Sequence, residues 1–235
     1  MIPYGIIAST PVEIELLLRA MVVKQVSFVQ GKPFHIGRLN GKEAILCICG
    51  VGKTNAAHGA SLLLDRFQPS VVYVVGVAGA YPSSKLRIGD IAVAEKEIYG
   101  DEGLRLNSGL KTMDALGLPL AIADGTDYYN EFPLYVPDKL LKHQHKGTFV
   151  TVSSCTGTFK AGLEIEKTFN AICENMEGAA VVHISLLNRV RAVEMRGISN
   201  IIEDREGRPL DKAAIRIAAD NVQQFFLDTL ANCSP

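Results

Sequence analysis

The segment Tyr4-Gly-Ile-Ile-Ala-Ser-Thr-Pro-Val-Glu13 shows the arrangement that recurs along the rest of the chain. Tyr4 to Ala8 has the apolar composition of a buried strand. In the turn that follows, Thr10 can cap and Pro11 can begin a helix over Val12 to Val22. Glu13 is therefore expected in the first turn of that helix, just beyond the carboxyl end of a strand. Open α/β sheets bind their ligands at such strand ends.

Apolar runs bounded by glycine alternate with segments of helical period, which predicts an α/β fold with a mostly parallel sheet covered by helices. The 235 residues suit one core, and no linker-like change of composition divides them, so we expect a single domain over residues 1–235. Further strands are predicted near Ser27 and Phe34 and over Ala44 to Cys49, Val71 to Val77, Ile91 to Tyr99, Thr148 to Ser153, Ala171 to Glu174 and Val193 to Ser199. Further helices are predicted over Thr54 to Phe67, Leu163 to Asn170, Glu177 to Asn188 and Asp211 to Leu230.

Composition excludes several classes of function. The formal net charge is −1 and the basic residues form no run or stripe, so neither a nucleic acid nor an anionic membrane is expected as a partner. The longest uncharged apolar stretch, Val71 to Tyr81, is about half the ~20 residues that cross a bilayer. We expect a soluble, cytoplasmic protein. The five cysteines form no Cys-x-x-Cys pair, and His143 and His145 lack a third ligand, so no metal or cofactor is predicted.

Two glycine-containing turns follow predicted strands. Gly50-Val-Gly-Lys-Thr54 resembles a phosphate-binding loop, but the P-loop needs a glycine where Cys47 stands and the Rossmann fingerprint needs one where Asn55 stands. The backbone amides of this turn could still face a ligand, or the turn could be purely structural. In Gly76-Val-Ala-Gly-Ala80, small residues that include Val77 and Gly79 allow close approach of a ligand or of a neighbouring helix.

Four polar side chains stand at three predicted strand ends. Glu13 follows the first strand, Glu177 stands at a strand-to-helix junction before small residues, and Arg196 and Asn200 end the last inner strand. Helix-terminal charge is the alternative role for both carboxylates. A buried strand end is a costly place for an arginine and an asparagine unless they meet partners.

These segments together resemble the purine nucleoside phosphorylase and nucleosidase superfamily over nearly the whole chain. The opening Gly5 to Leu17, the turn Gly50 to Ala57, Asn175-Met-Glu-Gly-Ala-Ala180 and Arg196-Gly-Ile-Ser-Asn200 are similar to signatures of the methylthioadenosine/S-adenosylhomocysteine nucleosidases. The resemblance implies that Glu13 activates water, that Met176 and Glu177 hold the ribose and that Asn200 addresses the base. Arg196 would position Glu13 or the water, and Phe159 would stack on the base, or else be a core aromatic.

Two departures from those nucleosidases suggest a narrower resemblance. Asn175 stands where they have a carboxylate, and Asn200 stands where they have the aspartate that addresses adenine; with Gly178, both features resemble the futalosine hydrolases of an alternative menaquinone pathway. An amide offers one acceptor and one donor, which match N7–H and O6 of leaving hypoxanthine, whereas a carboxylate offers two acceptors for leaving adenine. We therefore expect hydrolysis of futalosine to release hypoxanthine. The alternatives are an adenine-releasing nucleosidase, acting on methylthioadenosine, S-adenosylhomocysteine or aminofutalosine, and a non-catalytic nucleoside-binding protein.

Two further expectations concern the turn before Glu13 and the segment of residues 100–136. The superfamily's phosphorylases have a phosphate-binding arginine before the position of Glu13, and this chain has none, so hydrolysis is expected rather than phosphorolysis. Residues 100–136 lack sustained periodicity and are expected to be partly helical or to form a lid. Arg105, Tyr128, Tyr129 and Phe132 would then cover the 5′ substituent of the nucleoside. The resemblance also implies a three-layer α/β fold, with a central twisted mixed sheet flanked by helices, and a homo-oligomer.

Overall fold

A computed structural model of the chain describes residues 2–231. The elements in chain order are β1 (Tyr4–Ala8), α1 (Glu15–Ala20), β2 (Val22–Val29), β3 (Lys32–Leu39), β4 (Lys42–Ile48), α2 (Lys53–Phe67), β5 (Val71–Ala80), β6 (Ile91–Tyr99), β7 (Leu104–Leu106), β8 (Gly109–Lys111), α3 (Met113–Leu116), β9 (Ala121–Ala123), β10 (Thr126–Tyr128), β11 (Glu131–Pro133), β12 (Lys146–Thr151), α4 (Phe159–Phe169), β13 (Ala171–Asn175), α5 (Gly178–Leu187), β14 (Arg191–Ile201) and α6 (Lys212–Ala231).

The central sheet has ten strands, with nine of them in the order β11-β6-β12-β13-β5-β1-β4-β3-β2 and the tenth, β14, paired to both β5 and β6. The pairings of β1 with β4, of β1 with β5 and of β5 with β14 are parallel, whereas β2 and β3 are antiparallel additions. The double pairing of β14 closes β5, β14, β6, β12 and β13 into a ring. The mixed sheet is confirmed; the closure had no sequence signal.

Helices cover both faces of this sheet. Ile7, Val72 and Val74 face the layer that contains α2 and α5, and the alternate residues Ile6 and Tyr73 face the layer that contains α6. Because successive side chains of a strand point to opposite faces, the continuous apolar runs of β1 and β5 fit a sheet that is buried on both sides. The three-layer α/β architecture is therefore confirmed.

The predicted helix over Val12 to Val22 is wrong at both ends. Pro11–Glu13 forms one 3₁₀ turn, α1 follows and ends at Ala20, and Val22 already belongs to β2. β-branched valines favour extended backbone over a last helical turn. The helix predicted from Leu163 instead begins at Phe159, where the Thr158 side chain accepts a hydrogen bond from the Ala161 amide at 3.3 Å.

Residues 100–136 are more regular than expected. They contain two β-hairpins, one formed by β7 and β8 and one by β9 and β10, followed by β11, which pairs with β6. Of the helix predicted near Gly109 to Leu116, α3 forms the second half, whereas Gly109–Lys111 is the strand β8. The Phe132 side chain is fully buried and stacks on His183 with ring centroids 4.6 Å apart. The prediction that Phe132 lines the cover of the 5′ substituent is wrong, because the pairing of β11 with β6 turns this ring into the core.

The structure also bears on the expectations about cysteines, metal sites and membrane spans. Cys47 and Cys49 are buried in the core, as expected of small apolar residues, and burial raises the pKa of the Cys47 thiol to about 12. Cys233 lies outside the described residues. Within residues 2–231, no three His, Cys, Asp or Glu side chains are grouped to hold a metal ion. None of the helices in that range is long and apolar enough to cross a membrane.

Candidate active site

Glu13 is buried at the carboxyl end of β1, with a relative exposure of 3%. Its Oε2 accepts hydrogen bonds from the Ser9 hydroxyl at 2.6 Å and from the Thr10 amide and hydroxyl, both at 2.8 Å. Its Oε1 accepts one from the Val77 amide of β5 at 2.9 Å. The 3₁₀ turn folds the carboxylate back over the strand end, which fixes its orientation. Oε1 keeps acceptor capacity for a further donor such as water.

Arg196 of β14 lies beside Glu13 and is almost completely buried. Its Nη1 is 3.5 Å from Oε2 of Glu177 and donates to the Val77 carbonyl at 3.3 Å, while Nε donates to Oε1 of Glu194 at 2.8 Å. The attraction of these carboxylates, chiefly Glu194, outweighs desolvation and raises the pKa of the guanidinium further above its usual value. Arg196 therefore stays charged and cannot act as a proton donor.

Glu177 is the residue that precedes α5, and its carboxylate faces the guanidinium of Arg196. Its Oε1 accepts a hydrogen bond from the Gly52 amide at 3.0 Å, and Oε2 faces Arg196. Gly52 has a φ of +92°, a conformation that favours glycine and that turns this amide inward. The amides of the Gly50 to Thr54 turn therefore contribute at least one bond to a protein carboxylate.

Gly76 of β5 brings Glu13 and Arg196 together. A Cβ added to Gly76 would lie 2.5 Å from Nη1 of Arg196 and 2.7 Å from Oε1 of Glu13. The two charged groups therefore meet over a backbone position that has no side chain. The sequence predicted that a ligand or a neighbouring helix approaches closely at Gly76 to Ala80. At Gly76, the groups that approach are the side chains of Glu13 and Arg196.

We expect Gly76→Ala to lower activity much more than stability. The added methyl group must displace the ends of two long side chains, which can move, so folding should be affected by about 1 to 3 kcal/mol. The site itself is expected to lose at least ~100-fold in turnover, because misplacement by about 1 Å is enough for such a loss. Turnover and thermal unfolding should be measured beside Gly147→Ala, where the new Cβ meets only the flexible side chain of Ile172. Equal losses of activity in the two variants would contradict the prediction.

Asn200 and Gly79 are neighbours at the far end of the same strand pair. Asn200 is in register with Gly79, and its Nδ2 would be 2.9 Å from a Cβ at that glycine. Its Oδ1 accepts a hydrogen bond from the Ser199 hydroxyl at 3.0 Å, and Nδ2 has no acceptor among residues 2–231. The amide is half-buried and keeps both a donor and an acceptor for a ligand.

Met176 and Phe159, the other two predicted substrate contacts, lie in different environments. Met176 is half-buried beside Glu177, and its sulfur lies 3.5 Å from Sγ of Cys155. Phe159 begins α4 with 47% of its surface exposed, and its amide donates to Asp204, so it is not a core aromatic. Its stacking role stays a prediction.

The proposed cover is divided among several environments. Arg105 is exposed and lines a surface cavity of about 440 Å³ beside α4, together with Leu110 and Ser154. Tyr128 and Tyr129 both line a second cavity on the same side, and Tyr128 also stacks on the buried Phe132. The hairpin segment therefore offers Arg105, Tyr128 and Tyr129, and no longer Phe132, as candidates for contact with a 5′ substituent.

Sequence reasoning gave Thr10 only a helix-capping role, and it gave no role to Ser9, Thr151, Glu97 and Glu194. Ser9 and Thr10 orient Glu13; the other three lie beneath Glu177 and Arg196. One sequence signal was available for Glu194, because it interrupts the apolar strand Val193 to Met195, and a charge in a buried strand requires a partner.

Comparison with known proteins agrees with this geometry. The family model described as the phosphorylase superfamily matches residues 3–231. A 5′-methylthioadenosine/S-adenosylhomocysteine nucleosidase of Maridesulfovibrio salexigens is 30% identical over 235 residues, covering 96% of this chain and 97% of that protein. The S-adenosylhomocysteine nucleosidase of Streptococcus pyogenes, solved with 5-methylthiotubericidin, superposes with a TM-score of 0.81 at 25% identity, covering 100% of this chain and 98% of that one.

A second solved structure shows the same fold at lower identity. The 5′-methylthioadenosine/S-adenosylhomocysteine nucleosidase of Neisseria meningitidis, in complex with methylthio-immucillin-A, gives a TM-score of 0.82 at 19% identity and covers 99% of this chain and 100% of that chain. The fold, the family match and the full-length relative agree. The chain therefore belongs to the phosphorylase superfamily, as an enzyme of its nucleosidase, or N-glycosyl hydrolase, type.

Proposed function

We propose that this protein hydrolyses the N-glycosidic bond of purine nucleosides that carry a 5′ substituent, with 5′-methylthioadenosine and S-adenosylhomocysteine as the leading substrates. The observation that carries the proposal is the meeting of Glu13, Arg196 and Glu177 around Gly76 and Val77. The names of the relatives support this choice of substrates. Futalosine, which Asn200 favours, is the second candidate.

The proposed role of Glu13 is to take a proton from the attacking water. Water oxygen bonds to C1′ of the ribose while the bond from C1′ to the purine nitrogen breaks, and the electron pair of that bond leaves with the base. The four donors that hold Glu13 fix its orientation, so the acceptor left on Oε1 can direct one water. Arg196 keeps its charge and offsets part of the negative charge of Glu13 and Glu177.

The proposed role of Glu177 is to accept hydrogen bonds from the ribose hydroxyls. The sugar becomes oxocarbenium-like in the transition state, so a carboxylate stabilises it more than it stabilises the neutral ground state. Oε1 of Glu177 is held by the Gly52 amide, and Arg196 is 3.5 Å from Oε2. Both contacts aim the carboxylate before substrate arrives, and Met176 would provide an apolar contact beside it.

Asn200 supports futalosine as the second candidate. Its free Nδ2 can donate to O6 of a leaving 6-oxopurine, and its Oδ1 can accept from N7–H. A leaving 6-aminopurine presents two donors to the same amide and is matched less well. An amide is not an acid at neutral pH, so the proton on N7 must come from another source. Asn200 would hold the base by hydrogen bonds alone.

A substrate panel tests the activity and separates the two candidates. Methylthioadenosine, S-adenosylhomocysteine, futalosine, aminofutalosine and inosine would be incubated with the pure protein, with and without inorganic phosphate, and the free base would be quantified by chromatography. We expect a free purine with no phosphate requirement. Release of adenine only would support the first candidate, and release of hypoxanthine from futalosine the second. Dependence on phosphate, with formation of ribose 1-phosphate, would contradict hydrolysis.

Asn200→Asp is expected to shift the selectivity of the enzyme away from hypoxanthine and toward adenine as the leaving group. The second carboxylate oxygen would repel O6 of a 6-oxopurine but accept from a 6-amino group, and a mismatched buried hydrogen bond is worth ~1 to 3 kcal/mol. The ratio of kcat/KM for futalosine to that for aminofutalosine should therefore fall at least ~10-fold. The same measurement on Asn188→Asp, at the exposed end of α5, is the matched control. An unchanged ratio in Asn200→Asp would remove Asn200 from base recognition.

A further inference from the structure

Two carboxyl groups lie beneath the candidate site with no access to solvent. Glu97 of β6 and Glu194 of β14 are both 0% exposed. Their carboxyl oxygens meet inside the ring of strands, where Oε1 of Glu97 and both oxygens of Glu194 lie within 2.6 Å of the point that a Cβ of Gly178 would occupy. The cation that they face is Arg196, which also faces Glu177. One positive charge thus serves three buried carboxyl groups, and Glu13 adds a fourth nearby.

The hydrogen bonds around the pair are unequal. Oε1 of Glu194 accepts from Nε of Arg196 at 2.8 Å, but Oε2 of Glu194 has no donor in the described part of the chain. Glu97 accepts from the Thr151 hydroxyl at 2.8 Å and from the side-chain amide of Asn175. A buried carboxylate oxygen without a donor is costly, so Oε2 of Glu194 requires a donor that the other hydrogen bonds of the pair do not supply.

Gly178 makes room for this arrangement. A Cβ at Gly178 would lie 2.1 Å from Oε1 of Glu97 and 2.5 and 2.6 Å from the two oxygens of Glu194. Both carboxyl groups therefore occupy the volume that any other residue would fill with its side chain. Gly178 directly follows Glu177, so the pair packs against the backbone that carries the proposed ribose ligand.

We propose that Glu97 and Glu194 form a carboxylic acid–carboxylate pair, in which Glu97 keeps a proton and donates it in a hydrogen bond to Glu194, and that this pair positions Arg196 and Asn175 and through them Glu177. The proposal rests on the proposed function for the statement that Glu177 holds the ribose. Glu97 and Glu194 touch no substrate and are positioning residues.

The assignment of the proton to Glu97 follows from its surroundings. Burial, reinforced by the nearby Glu194 charge, raises the pKa of Glu97 well above its usual range. Burial raises the pKa of Glu194 as well, but Arg196 acts against that rise, and so does a hydrogen bond from Glu97. When Glu97 holds the one proton of the pair, Glu194 is ionised and pairs with Arg196. Oε2 of Glu194 then gains the hydrogen-bond donor that it lacks.

Asn175 and Arg196 connect the pair of glutamates directly to Glu177. Asn175 uses its amide group to donate to Glu97, and its Oδ1 accepts from the backbone amides of Glu177 at 2.9 Å and Gly178 at 2.7 Å. Arg196 donates to the same oxygen at 3.2 Å. The side-chain orientation of Asn175 is set by Glu97, because a flipped amide would point its oxygen at another acceptor. The pair thus fixes both the backbone and the ion-pair partner of Glu177.

The first test reads the proton directly and needs no turnover. The infrared spectrum of the wild-type protein at neutral pH is expected to contain the C=O stretch of a protonated carboxylic acid, and Glu97→Gln is expected to lose that signal. Selective ¹³C labelling of glutamate distinguishes it from backbone carbonyls. A wild-type spectrum without the band, or a band unchanged in Glu97→Gln, would overturn the proposal whether or not the proposed substrates are cleaved.

The second test compares two isosteric variants. Glu97→Gln keeps a neutral group that can donate to Glu194, and the Thr151 hydroxyl can turn its hydrogen to Asn175 Oδ1, 3.3 Å away, so kcat/KM should stay within about threefold of wild type. Glu194→Gln removes the charge that holds Arg196, so kcat should fall at least ~10-fold, the scale of one lost charged hydrogen bond. Equal losses in both variants would overturn the assignment of the proton to Glu97. If Glu194→Gln does not fold, the infrared comparison of wild type with Glu97→Gln still decides.

Discussion

Glu13→Gln is expected to bind substrate but to lower turnover at least ~100-fold, which is the usual scale for losing a positioned general base. A glutamine side chain has the same shape, but it cannot take a proton from water. Its NH₂ group must also replace either Oε2, which accepts from three donors of Ser9 and Thr10, or Oε1, which accepts from the Val77 amide. The loss should therefore appear in kcat, with a smaller change in KM.

The control for this experiment lies two residues along the chain. Glu15→Gln makes the same chemical change at the start of α1, where Glu15 pairs with Arg19 and Arg216 at the surface. Surface ion pairs contribute ~0 to 1 kcal/mol, so activity should be retained and stability should change little. Near-normal turnover of Glu13→Gln would show that another group handles the water, and the proposed role of Glu13 would be withdrawn.

Glu177→Ala is expected to lower turnover by about 100-fold or more, because it removes charge stabilisation that strengthens as the sugar becomes oxocarbenium-like. Folding should survive, since Arg196 keeps its ion pair with Glu194 when Glu177 is removed. Thermal unfolding of the variant would check this second expectation. A variant that is folded but slow would separate the chemical role of Glu177 from its packing.

A substrate change tests the same residue from the other side. A 2′-deoxyribosyl analogue lacks one of the hydroxyls that Glu177 is proposed to hold, so the wild-type enzyme should cleave it more slowly than the ribosyl parent. In Glu177→Ala this discrimination should shrink, because the hydroxyl has lost its partner. Equal rates on the two substrates with the wild-type enzyme would falsify the ribose role.

Most of the architecture could be predicted from the sequence, because local patterns decide it. β6 was predicted with its observed bounds, and β5 and α2 were predicted to within a few residues, since apolar runs and helical periods depend on neighbouring residues alone. The errors lie where tertiary context overrides the pattern. α1 ends early because Val22 joins an antiparallel strand pair, and residues 100–136 gain order from hairpins and from the edge of β6.

The candidate site also has features that the sequence predicted and features that only the tertiary structure shows. Arg196 and Asn200 were expected to end the last inner strand, but β14 continues to Ile201 and both residues lie within it. Sequence alone placed Glu13 and Glu177 just beyond strand ends, where the structure has them. It could not show that Glu13 and Arg196 meet over Gly76, because that contact joins three strands that are distant in sequence. Phe132 shows the opposite error: its aromatic character suggested a ligand contact, and strand pairing put it in the core.

The sequence by itself determined the class of the fold, the family and the residue types available for hydrolysis. Only the tertiary structure decided which of them share an environment. Glu97 and Glu194 are 97 residues apart in the chain, and no local pattern links them; the closed ring of strands puts both carboxyl groups over Gly178 in a space without water. Electrostatic interactions depend on distance and solvent exposure, and both quantities exist only after the chain has folded.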